Sequence, residues 1–297
     1  MTAIDNNPLV GVLGATSFVG ASLLGKLKKF DFHVIAYTRR DIKPASMNVE
    51  WRNLESELPL SQKLNTEVPI PYWFALVPIS FLPRYFSLME AHGVKRLVAL
   101  SSTSRFTKLT SRDPDEQNLV RNMADAEERV QQWAKLHGIE WIILRPTLIY
   151  GSGQDRNIAE ITRFIQRFGF FPVFGKACGL RQPIHVQDVA GACMASLQSP
   201  TSVNRAYNIS GAETLTYREM VIRIFNVLEK KPRLVPIPLW MFSAAVALLR
   251  LFPRYSKWSS AMAERMNCDM VFDHSDVLQD FEFKPRSFML SAEDLPN

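Results

Sequence analysis

Leu9-Val10-Gly11-Val12-Leu13-Gly14-Ala15-Thr16-Ser17-Phe18-Val19-Gly20 is the stretch on which the reading of this chain turns. Leu9 to Leu13 is an apolar run of strand length that stops at a glycine. Phe18 to Phe30 follows with Val19, Leu23, Leu24 and Leu27 at helical spacing and lysines near its end. Phe32 to Tyr37 is a second strand-like run. Strand, glycine turn, helix and strand within about thirty residues make one βαβ unit. Gly14 suits the tight turn at the strand end, and Gly20 lets the helix pack close to the sheet. Such turns usually have a further glycine between these two. Here Ser17 stands in its place, small and able to offer a hydroxyl.

Amides at the start of a helix that follows such a turn suit a pyrophosphate. Gly14, Thr16, Ser17, Phe18, Val19 and Gly20 are therefore candidate contacts for a dinucleotide. The second strand runs into Thr38-Arg39-Arg40. A site that prefers NAD usually has an acid there, on the ribose hydroxyls, whereas guanidinium groups suit a 2′-phosphate. NADP is the expected cofactor and NAD the alternative.

Outward from this unit the alternation continues. Strands are expected at Val49 to Trp51, Tyr72 to Val77, Lys95 to Ser101 and Glu140 to Arg145, with helices at Phe81 to His92 and Pro114 to His137. Arg52 to Pro71 is polar and proline-rich and has no helical pattern. The fold class is α/β: a Rossmann-type, doubly wound parallel sheet with a small C-terminal substrate lobe. Residues 1–150 form the nucleotide-binding portion, and 151–297 form the lobe, interleaved with the end of the sheet. In the second half, helices are expected at Asn157 to Phe168, Val186 to Gln198, Thr216 to Glu229 and Leu239 to Phe252, with strands at Ala206 to Ile209 and Met270 to Phe272. Ligands in open α/β sheets lie outside the carboxyl ends of the strands. Leu54, Leu76, Val77, Pro78, Ser101, Ser102, Pro146 and Leu148 accordingly join the candidate cofactor contacts.

Composition narrows the function classes. Hydrophobic residues make up 47% of the 297 and charged residues 22%, enough apolar material for a sizeable core. The net charge of +6 is spread without a run of five basic residues, which speaks against nucleic acid as a partner. Cys178, Cys193 and Cys268 fit no disulfide or metal spacing, and Met1 to Pro8 lacks signal-peptide character, so the expected compartment is the cytoplasm. Leu239 to Leu249 is uncharged but too short to cross a bilayer. It is expected to be a buried lobe helix or a homodimer contact. The alternative is an interfacial helix on a membrane, with Trp240, Met241 and Phe242 beside Arg250, Arg254 and Lys257.

Several motifs together resemble the extended short-chain dehydrogenase/reductases, specifically the NAD-dependent epimerase/dehydratase family. These are GATSFVG at Gly14–Gly20, GVKRLVALSSTS at Gly93–Ser104, ILRPTLIYG at Ile143–Gly151, RQPIHVQDVA at Arg181–Ala190 and DFEFKPR at Asp280–Arg286. The resemblance implies a bound nicotinamide dinucleotide and a small hydroxyl or carbonyl substrate, such as a nucleotide-sugar. It also implies a Ser or Thr hydroxyl near the reacting carbon, a position that Thr103 matches. Members active in redox or epimerase chemistry add Tyr-x-x-x-Lys on the next helix, the two side chains on one face. Leu119 and Met123 stand in those places, in an apolar stripe with Ala126, Val130, Trp133 and His137. No tyrosine in the chain is followed by lysine at the fourth position. The Asp-Glu pair that dehydratases carry is absent too, since Thr103 precedes Ser104 and Arg105. The chain thus resembles an atypical member.

Other candidates follow. Tyr150, at the entry to the lobe, is a candidate catalytic residue beside Thr103. Asn157, Arg181 and His185 are candidate substrate contacts, Arg181 because a guanidinium grips a diphosphate with two bonds. Three functions are open: an enzyme on a nucleotide-linked or related substrate with bound NADP, a non-catalytic NADP-binding subunit or sensor like the complex I accessory members, and a peripheral membrane reductase of a lipid-like substrate.

Overall fold

The computed structural model describes residues 9–39, 48–54, 68–107, 113–200, 202–238 and 261–296. Six strands of the first half are β1 (Leu9–Leu13), β2 (His33–Thr38), β3 (Val49–Asn53), β4 (Tyr72–Ala75), β5 (Arg96–Leu100) and β6 (Glu140–Pro146). With a last strand, Arg205–Ile209, they form one parallel sheet in the order β3-β2-β1-β4-β5-β6-last. The order reverses between β1 and β4, which opens a crevice at their carboxyl ends. This is the Rossmann-type arrangement expected.

Alternate strand residues feed two cores, as a sheet covered on both faces requires. Val10, Val12, Val34, Ala36, Val98 and Leu144 face α1 (Phe18–Lys29) and α6 (Val186–Gln198). Leu13, Ile35, Tyr37, Trp73, Leu97 and Ile143 face α2 (Phe86–Ala91) and α4 (Pro114–His137). A third core lies in the lobe, between α5 (Ile158–Phe168) and α7 (Tyr217–Val227). Residues beyond 150 also return to the sheet, through α6 and the last strand.

Caps set the helix ends. Asp113 accepts from the Asp115 amide at 3.0 Å to start α4, Pro114 occupies the first turn, and Gly138 closes it at φ +65°. Thr216 and Glu219 form a reciprocal capping box at α7.

Several elements depart from expectation. Phe81 to His92 begins as a 3₁₀ turn over Ile79–Tyr85, because Pro83 has no amide for an α-helical bond, and only Phe86–Ala91 is α-helical. Met270 to Phe272 is reduced to one bridge between Met270 and Arg181. The parallel pair Phe171–Phe174 and Leu234–Ile237, and the short helix α3 (Ser104–Thr107), carry too little periodicity to have been read. In α4, Met123, Ala126, Val130 and Trp133 are buried, but Leu119 and His137 are exposed. Val120, the residue after Leu119, and Ala134, three residues before His137, lie in the core instead. The expected helix Leu239 to Phe252 lies outside the described residues. Among the described residues no helix is long and apolar enough to cross a membrane.

Candidate functional site

The site grows from the β1–α1 turn. Gly14 sits at φ +79°, and a Cβ there would come within 2.8 Å of the Leu76 backbone at the end of β4. At Gly20 a Cβ would lie 2.3 Å from the Gly14 carbonyl oxygen. Both positions therefore need glycine if the helix start is to sit against the strand ends. The Ser17 hydroxyl accepts from the Gly20 amide at 3.1 Å and caps α1. Ser17 thus satisfies one first-turn donor, and the amides of Phe18 and Val19, at the first two helical positions, have no acceptor within the helix. The residues present fit the phosphates of a dinucleotide at this helix start.

The other candidate contacts lie along the same sheet edge. Thr38 and Arg39 end β2, Thr38 buried and Arg39 exposed. Arg40 lies outside the described residues. Leu54 follows β3, its amide donating to the Thr38 carbonyl at 2.8 Å. Leu76, Val77 and Pro78 follow β4, Ser101 and Ser102 follow β5, and Pro146 and Leu148 close β6.

Beside this edge is a cleft of about 610 Å³. Phe18, Ser102, Thr103 and Leu148 line the side formed by the sheet edge, and Asn157, Arg181 and Gln182 line the lobe side. Ser102 Oγ donates to Ser104 Oγ at 3.0 Å, and Ser104 and Thr107 add hydroxyls to the wall. Thr103 is buried, and its hydroxyl donates to the Pro146 carbonyl at 3.2 Å. Ser101 is turned away from the cleft, donating at 2.5 Å to Glu127.

Glu127 is fully buried in α4 and was not singled out from the sequence. Arg145 on β6 donates to it from Nε and Nη2, and Arg105 on α3 donates as well. This cluster ties α3, α4, β5 and β6 together directly behind the serine-rich loop. Met123, one turn earlier on α4, is buried among apolar side chains, and Leu119 is 46% exposed. Neither can move a proton.

Two expectations need correction. Tyr150, expected near a ligand, is wholly buried in the lobe core, edge-on to His185 and Phe288. It does not line the cleft; its hydroxyl reaches the Met289 carbonyl at 3.5 Å, and burial pushes its pKa far up. His185, expected to meet substrate, caps α6 instead. Its Nδ1 accepts from the Gln187 amide at 3.2 Å, so Nε2 carries the proton and donates to Asp294 at 3.0 Å. Arg181 lines the cleft as expected, with part of its guanidinium committed to backbone. It donates to the Leu180 and Cys268 carbonyls at 2.7 and 2.8 Å and to that of Arg265, and it lies over the Tyr217 ring. Burial lowers its pKa from the usual arginine value. These backbone bonds take three of its five N–H donors. Arg265, the neighbouring cation, is held by both carboxylate oxygens of Glu116 at 2.7 Å.

Asp155 also lines the cleft and was not foreseen. Its Oδ1 accepts from the Asn157 and Ala159 amides at 2.8 and 3.2 Å, Oδ2 is buried without a partner, and burial raises its pKa. Arg265, Met266, Met270 and Phe272 reach the same wall from a segment far along the chain, with no local motif to mark them.

A parallel sheet with a strand-order reversal and a glycine turn at that crevice defines a Rossmann-type fold. Residues 84–210 match the model of the NAD dependent epimerase/dehydratase family. That match covers the middle of the chain, and with the fold it makes the chain similar to the extended short-chain dehydrogenase/reductases, without their Tyr-x-x-x-Lys pair. The chain is 25% identical over 266 residues to the mitochondrial NADH dehydrogenase [ubiquinone] 1 alpha subcomplex subunit 9 of Arabidopsis thaliana, covering 80% of this chain and 62% of that protein. It is 23% identical over 203 residues to the UDP-glucose 4-epimerase of Vibrio cholerae, covering 65% and 59%. The chain therefore spans about six-tenths of the length of these two relatives. The structure of a UDP-N-acetylglucosamine 4-epimerase from Methanobrevibacter ruminantium superposes with TM-score 0.68 at 18% identity, over 94% of this chain and 93% of that one.

Proposed function

We propose that this protein binds NADP(H) along the sheet edge and acts on a hydroxyl or carbonyl group of a small molecule held in the adjoining cleft. The observation that carries the reading is the junction of the two. Phe18, the first residue of the phosphate-binding helix, and Ser102, at the end of β5, both line the cleft wall. When bound, the nicotinamide supplies or takes up hydride. The chain's own part is to hold the phosphates at the α1 start, to meet the adenosine with Arg39, and to offer the Ser102, Ser104 and Thr107 hydroxyls to the substrate. NADP is favoured over NAD because the end of β2 presents Thr38 and Arg39 where an acid would repel a 2′-phosphate.

A second reading is a subunit that keeps the cofactor without turnover. Leu119 and Met123 in place of the proton-moving pair favour it. Titration calorimetry with NADPH and NADH tests both readings. NADPH should bind well below millimolar and more tightly than NADH, and Gly20→Val, kept only if circular dichroism shows it folded, should abolish the heat. NADPH consumption with a panel of ketones and sugar nucleotides then separates them, since binding without turnover supports the subunit. No heat with either dinucleotide at millimolar ligand rejects both.

A further inference from the structure

The lobe carries a surface, away from the cleft, that the reading above does not use. At the end of α5, Phe164, Phe168 and Phe170 form an aromatic cluster, with ring centroids 4.6 Å (164 to 168) and 5.7 Å (164 to 170) apart. Phe168 is 51% exposed. Val235, on the strand paired with Phe171–Phe174, is 43% exposed. Single exposed apolar groups are ordinary, but apolar groups clustered on one face and rimmed by polar ones mark a contact surface.

Cations surround these groups. The Arg167 guanidinium lies 5.2 Å from the Phe168 ring centroid. Lys230 Nζ reaches the Ile165 and Gln166 carbonyls at 3.5 and 3.3 Å, which sets its charge at the same end of α5. Lys231 and Arg233 are exposed, and the Arg233 carbonyl accepts from the Phe171 amide at 2.9 Å, which brings that residue beside Phe170. Glu229 is the acid of this loop. Among the described residues, none of the four cations has a carboxylate within ion-pair distance.

Exposed aromatic rings beside unpaired Arg and Lys complement a surface that is apolar below and anionic above. A second copy of the same face is the poorer match, because a twofold contact would set these cations against their own copies. We propose that this face docks on an anionic lipid bilayer, with Phe168 and Phe170 at headgroup level and Arg167, Lys230, Lys231 and Arg233 on the lipid phosphates. Beyond the exposed strand, the sequence continues into the uncharged run Leu239 to Leu249, followed by Arg250 and Arg254. The proposal needs neither cofactor nor turnover.

The test is cosedimentation of the full chain with phosphatidylcholine vesicles, with and without phosphatidylglycerol. Binding should require phosphatidylglycerol and weaken as salt is raised. Both the R167E/R233E pair and the F168D/F170D pair should lower partition by about tenfold or more. The charge-reversal pair lies on exposed positions, so its thermal unfolding should match that of the parent chain. The proposal is overturned if the chain stays in the supernatant, or if neutral vesicles bind it equally. It is also overturned if millimolar inorganic phosphate displaces it from the vesicles, or if both double variants bind as the parent does while Phe242→Asp releases the chain.

Discussion

The proposed preference between two closely related cofactors turns on Arg39. It is exposed at the carboxyl end of β2, next to buried Thr38. A guanidinium there attracts a 2′-phosphate, and a carboxylate repels it while accepting from ribose hydroxyls. Arg39→Asp should weaken NADPH at least tenfold and leave NADH unchanged or improved, measured as paired dissociation constants. An equal loss for both dinucleotides would remove Arg39 from the adenosine site. Arg181 carries the opposite lesson. Its type and position suited a diphosphate, yet three backbone carbonyls take up three of its five donors. Which of two arginines stays available depends on what the surrounding chain leaves unsatisfied.

Among the elements, α4 is held by a charge in its interior. Glu127, 1% exposed at its side chain, faces Arg145 at 14% and Arg105 at 24%. Two cations and a serine hydroxyl offset the cost of burying that carboxylate, and removing it strands both arginines. Glu127→Leu should destabilise the fold by about 2–4 kcal/mol in denaturant unfolding. It should also loosen the Ser101–Thr103 loop, seen as faster hydrogen exchange at those amides. A neutral result would mean that water already screens the arginines. The start of α7 is a milder case. Thr216→Ala removes the hydroxyl that accepts from the Glu219 amide at 3.1 Å. The expected loss is about 1 kcal/mol, read as a lowered denaturant midpoint.

For the molecule as a whole, His185 and Asp294 bind the C-terminal segment to α6. Burial raises the Asp294 carboxyl, but the Ser291 amide and hydroxyl and the His185 ring outweigh it and hold the pKa below the ordinary aspartate value. The native carboxyl therefore titrates below the unfolded one. Its contribution is complete above the unfolded value near ~3.9 and fades as pH falls through the native one. Asp294→Asn should lower stability at pH 7 by about 1–3 kcal/mol. It should also flatten the acid limb of a stability-versus-pH curve below about pH 4. A parallel drop at every pH would show that the loss is packing alone.

The sheet and its turn could be read from the amino acids because their signals are local. An apolar run that ends at Gly14, a helix with three lysines in its last turn and a basic β2 end each lie within a few residues, and βαβ handedness leaves little choice of topology. The absence of Tyr-x-x-x-Lys was equally plain. In α4 the stripe was legible only in its middle, because a single apolar side chain at a helix end, Leu119, is cheap to leave in water. Only the tertiary structure decided the membership of the cleft. It joins the residue 102–107 loop to Asp155 and to Arg265 and Phe272, more than a hundred residues on. It also turned Tyr150 and His185 inward. Such contacts come from strand order and from which buried donors and acceptors must be matched, and neither leaves a pattern in adjacent residues.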